Sequence, residues 1–87
     1  MTVVERRLVV TEEAGLHARP AAAFAQTAAR AAAEVTVARE DGTEVPARSV
    51  LSLMTLNIRC GDAIVLRASG TDAESTLDAL ARIAAPA

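Results

Sequence analysis

Lysine, tryptophan and tyrosine are absent from this 87-residue chain, Phe24 is its single aromatic residue, and histidine and cysteine occur once each. With only His17 and Cys60 available, the chain alone can assemble neither a disulfide framework nor a closed zinc site. No metal site and no cofactor are expected, and a reducing compartment is the natural assignment. The scarcity of aromatics implies an aliphatic, compact core. Charge of one sign is lacking too: eleven acids against nine bases leave a net charge of -2, and no stretch concentrates positive charge as a nucleic-acid binder would. A nucleic-acid partner is therefore excluded. No run approaches membrane-spanning length, and the charged start through Glu5, Arg6 and Arg7 does not suit a signal peptide. We expect no membrane insertion and a cytoplasmic location. The complete replacement of lysine by arginine and the excess of alanine look like coding bias and carry no functional weight.

The length suits one domain spanning residues 1–87 with one modest core. Residues 3–10 mix β-branched and charged side chains and read as a strand, closed by Thr11-Glu12-Glu13-Ala14-Gly15. Residues 18–33 are alanine-rich, with Ala21, Phe24, Ala28 and Ala31 on one helical face, and form the longest expected helix. A hairpin follows, with strands at 34–39 and 43–45 joined through Glu40-Asp41-Gly42. Pro46 should end the second of these strands or sit at a sheet edge. Ser49 then opens a short apolar helix through Leu56, and Ala63 to Ala68 makes the fourth strand. Thr71-Asp72-Ala73-Glu74 has the pattern of a capping box before a final helix carrying Leu77, Leu80 and Ala84 on one stripe. The expected fold is α+β, an open-faced β-sandwich in which a four-stranded antiparallel sheet is covered on one face by three helices, in the order βαββαβα.

The chemically informative segment is Gly15-Leu16-His17-Ala18-Arg19-Pro20-Ala21, in which the only histidine precedes a helix with proline in its first turn. Glycine permits a tight path out of the loop, and proline costs little where an N–H has no intrahelical acceptor. Placed at or near the N-cap, His17 would face the free N–H groups of Ala18 and Arg19 and the positive end of the helix dipole. A phosphoryl group on the ring would be held there by those N–H groups and by the Arg19 guanidinium, without any metal. On chemistry alone a second reading stands beside it, with His17 a simple capping side chain and Arg19 a solvated charge.

The helix opened by Ser49 is apolar nearly all round, more than one core-facing side can absorb. Val50, Leu51 and Met54 therefore read as a docking patch near His17, or else as filling for a small core. Ser49 is first of all an N-cap. Cys60 beside Gly61 is a turn residue with no activating neighbours, and we assign it no role.

The segment around His17 resembles the active-site motif of the HPr family, the histidine-containing phosphocarriers of the bacterial sugar phosphotransferase system, and Ser49 to Leu56 is similar to that family's second signature. The resemblance covers almost the whole chain. It implies that His17 is phosphorylated at Nδ1, that Arg19 and the Ala18 backbone N–H stabilise the phosphate, that enzyme I is the donor, and that sugar-specific enzyme IIA domains are acceptors. Such a protein is a carrier with a transient phosphohistidine, acts as a monomer and is not an enzyme in its own right. The resemblance also implies that Ser49 could be a regulatory phosphorylation site, with HPr kinase/phosphorylase and transcriptional regulators as further partners. Carriers of nitrogen-regulatory, fructose or dihydroxyacetone branches would use the same residues, and a non-catalytic regulatory module would act through Ser49 and the helix at 50–56. Three departures stand out: Asn57 where many relatives have glycine, a hairpin one residue longer around Asp41-Gly42, and Arg48 in place of a frequent lysine.

Overall fold

A computed structural model describes residues 3–86. Its elements follow the order β1 (Val3–Val9), α1 (Ala18–Arg30), β2 (Glu34–Arg39), β3 (Glu44–Pro46), α2 (Val50–Thr55), β4 (Ala63–Ser69) and α3 (Ala73–Ala84). The strands form one antiparallel sheet in the order β1-β4-β2-β3. Central β4 pairs Val3 with Ser69 on one side and Glu34 with Ser69 on the other. Alternation along the strands sends Val35, Val37, Ile64, Leu66 and Ala68 into the core. The three helices cover that face, as the alternating pattern requires.

The other face is open to solvent and carries charged side chains beside the exposed Val3 and Val9. Arg67 on β4 donates to Glu5 on β1 through Nε at 3.0 Å and Nη2 at 2.8 Å, and lies 3.6 Å from Glu44 on β3. Glu44 in turn accepts from the Thr36 hydroxyl at 2.5 Å. These exposed pairs are screened by water, so they fix register more than they hold the fold. The fold rests on the core, where Phe24 is the one large aromatic and, among the described residues, eight of the twenty buried apolar ones are alanines.

On α1, the buried residues Ala21, Phe24, Ala25 and Ala28 follow the spacing of one helical face. The helix stops at Arg30, three residues before its expected end. Ala31 turns to φ -76°, ψ 149°, and the chain crosses over so that Ala33 is buried at the entry to β2. Alanine's helix propensity favours continuing the helix, but it is weak and yields to the sheet, which fixes where β2 must begin. β3 is displaced by one residue from 43–45 to Glu44–Pro46: Thr43 is consumed by the turn, its N–H donating to Asp41 Oδ1 and its carbonyl accepting from the Arg39 N–H. Pro46 pairs with Thr36 on the edge strand, where a missing donor is tolerated. The expected capping box does not form. The N-cap of α3 is Asp72 with φ 62°, no side chain caps the helix, and Glu74 accepts from Arg6 at 3.0 Å instead.

Candidate functional site

His17 occupies the N-cap of α1 in an extended conformation, φ -129°, ψ 163°. Its carbonyl accepts from the Ala21 N–H at 3.3 Å and closes the first turn, while its side chain makes no capping hydrogen bond. The capping-only reading of His17 therefore fails: the ring is half-buried and has another use available. Pro20 in the first turn has no N–H, which leaves the N–H groups of Ala18 and Arg19 as the donors at the positive end of the helix. Arg19 is exposed, and among the described residues it forms no ion pair, so its guanidinium is available to an anion.

Ala18 carries a feature that helix periodicity did not reveal, a φ of 49°. For an L-residue this left-handed value costs about 1–2 kcal/mol. The strain sits directly between His17 and Arg19, and the surrounding structure must hold it.

The loop before His17 is fixed from two sides. The N–H groups of Thr11 and Glu12 both donate to the carbonyl of Ala84 at the end of α3, at 3.0 and 3.1 Å. The Leu16 N–H donates to the Ile58 carbonyl at 3.0 Å, and the Leu16 side chain is fully buried. Gly15, at φ +68°, lies so close to the Ile58 carbonyl and the Arg59 Cα that a Cβ would collide with both. Ile58 was not singled out from the sequence; it contributes a backbone atom, for which no residue type is a signal.

Ser49 caps α2 as expected, its Oγ accepting from the Ser52 N–H at 3.2 Å. Leu53 faces the core, whereas Val50, Leu51 and Met54 are 36%, 78% and 45% exposed, so they do not serve as core filling. α1 and α2 pack on each other, which brings the exposed apolar residues and the His17 helix into one neighbourhood. Leu56 is the C-cap of α2, and Asn57 follows with φ 52°, the left-handed position after a helix that glycine or asparagine suits. Its substitution for glycine is thus conformationally matched. Arg39 Nη1 donates to the carbonyls of Leu56 at 2.9 Å and Asn57 at 3.4 Å, and to Asp62 Oδ2 at 3.3 Å. Asp62 Oδ2 also accepts from the Arg59 N–H at 2.8 Å. That hydrogen bond first, and then the neighbouring Arg39 and Arg59 charges, holds the Asp62 carboxyl below the usual aspartate range against the opposing effect of desolvation.

The family model described as "PTS HPr component phosphorylation site" matches residues 4–85. The chain belongs to the HPr family. HPr of Streptomyces coelicolor is 40% identical over 83 residues, covering 95% of this chain and 89% of that protein. The HPr-like protein Crh of Halalkalibacterium halodurans is 40% identical over 78 residues, 90% of this chain and 92% of that one. The crystal structure of HPr from Bacillus anthracis superimposes with a TM-score of 0.91 at 38% identity, covering 97% and 99% of the two chains. The HPr family thus accounts for the four-stranded sheet with three helices, and its theme is that of phosphocarriers in the phosphotransferase system. Among the described residues no helix of this HPr-family chain is long and apolar enough to cross a membrane.

Proposed function

We propose that His17 accepts a phosphoryl group on Nδ1 from phosphorylated enzyme I and passes it to an enzyme IIA domain of a sugar transport system. In each step one N–P bond breaks as another forms, and His17 returns to its starting state, so the chain is a carrier in the cytoplasm and not an enzyme. The observation that carries this reading is the histidine ring left without a capping bond at the start of α1, beside two first-turn N–H groups and an arginine paired with no carboxylate among the described residues. Arg19 and the Ala18 N–H hold the phosphoryl oxygens, and positioning with charge stabilisation is most of what such a transfer asks of a protein. Val50, Leu51 and Met54 provide the apolar surface against which partners close. The whole chain, residues 1–87, acts as one monomeric unit.

A second reading is favoured by a separate observation: Ser49 caps the exposed helix, and HPr-like Crh proteins stand among the relatives, one at 40% identity. Phosphorylation of Ser49 by an HPr kinase would add charge beside the apolar surface and suit the start of α2, turning the chain into a ligand for transcriptional regulators. The deciding experiment is incubation with enzyme I and phosphoenolpyruvate. We expect an acid-labile phosphate on the wild type and none on His17→Ala. Absence of label with several enzyme I preparations would overturn the carrier reading. An acid-stable label on His17→Ala after treatment with HPr kinase would establish the Ser49 reading.

A further inference from the structure

The loop between α2 and β4, residues 57–62, touches both halves of the proposed transfer surface. At its start it leaves the exposed apolar helix through Leu56 and Asn57. In its middle the Ile58 carbonyl takes the Leu16 N–H, one residue before His17, and the Ile58–Arg59 backbone lies against Gly15. Two side chains give this loop its shape. Arg39, from the end of β2, bridges the carbonyls of Leu56 and Asn57 and the carboxylate of Asp62, and that carboxylate holds the Arg59 N–H. The brace is half-buried, with both side chains about one-third exposed, and it closes on itself: each end of the loop is tied to the same guanidinium.

We propose that Arg39 and Asp62 are positioning residues for phosphoryl transfer, setting the apolar face of α2 against His17 through the loop they brace. The inference rests on the carrier reading of His17. Neither residue touches the phosphoryl group. Each acts through a backbone, Arg39 on the carbonyls that end α2 and Asp62 on the amide next to Ile58. A partner seated on Val50, Leu51 and Met54 presents its phosphoryl group at a place fixed by α2, and the His17 ring must be there to meet it. A misplacement of about 1 Å can slow such a reaction by as much as a hundredfold. Arg39 and Asp62 are 23 residues apart in sequence and meet only because β2 and β4 are paired.

The test is the rate of phosphoryl transfer from phosphorylated enzyme I to the full chain, followed to saturation. With Asp62→Ala or Arg39→Met we expect the saturating rate to fall about tenfold, with KM changed by less than about twofold, because the docking face itself is intact. The double variant should be no slower than the slower single one, as members of one unit are not additive. Arg39→Lys and Asp62→Asn, which keep a donor and an acceptor, should recover part of the rate. Circular dichroism at the assay temperature reports the folded fraction. A saturating rate equal to wild type in folded single variants would overturn the proposal, and so would a fall fully matched by loss of folded protein. A wild type that takes no phosphate on His17 would sink the carrier reading and this inference with it, whereas a labelled wild type with insensitive variants would sink the inference alone.

Discussion

The Leu16 N–H and the Ile58 carbonyl meet at 3.0 Å, so the residue before His17 is held by the loop that leaves the exposed apolar helix. Gly15 makes this approach possible, since a side chain there would strike the Ile58 carbonyl at a φ of +68°. Gly15→Ala should therefore cost at least about 1 kcal/mol from the left-handed backbone alone, with the collision added. Thermal melting and the rate of phosphate uptake check it, and both should fall. A variant as stable as wild type would show that the loop can move aside freely.

Leu51 is the most exposed of the apolar residues on α2. Leu51→Glu should change stability by no more than about 0.5 kcal/mol, as surface substitutions generally do. Transfer from enzyme I should weaken, chiefly through a higher KM. Denaturant melts and a saturation curve separate the two effects, and a collapse of the fold would return Leu51 to the core.

Ser49→Ala removes the Oγ that accepts from the Ser52 N–H. The loss of an N-cap costs about 1 kcal/mol, which for a domain of this size lowers Tm by about 4–8 °C. Because α2 has only six residues, amide exchange should rise first in that helix. Equal exchange in the two proteins would mean that packing through Leu53 suffices to hold it.

Asp62 predicts a pH dependence whose sign follows from its environment. Its carboxyl titrates below the ordinary aspartate range in the folded chain, held there foremost by the Arg59 N–H. A group depressed on folding contributes stability above its unfolded pKa and loses it as pH falls through the folded value. The stability gap between wild type and Asp62→Ala should be widest near neutral pH and shrink as the solution is taken below the aspartate range. Melts across an acid series measure it, and a gap that widens on acidification would contradict the assignment.

Much of the fold was legible because each element carries its own local signal. Alternating Val35 and Val37, the spacing of Ala21, Phe24 and Ala28, and a serine before an apolar run each report a period or a cap. The placing of His17 and Arg19 at the start of α1 was legible for a similar reason, since they lie together in one short motif with Pro20 behind them. What escaped was decided at long range. The early end of α1 at Arg30 follows from where the sheet needs β2, and the capping box goes unused because α3 starts one residue late, with Asp72 as its N-cap and Glu74 left free to accept from Arg6 on β1. The Arg39–Asp62 brace exists only once β2 and β4 lie side by side, and the left-handed φ of Ala18 has no counterpart in residue type, since alanine ordinarily avoids it.

The alanines that make up so much of the core have a thermodynamic consequence. Burying alanine freezes no rotamers, which offsets the small area it removes from water. Less apolar surface is then exposed on unfolding, and the heat capacity of unfolding should lie at the low end of the usual range, near about 12 cal/mol/K per residue. The stability curve of such a protein is shallow, so its margin against unfolding changes little from cold to warm conditions.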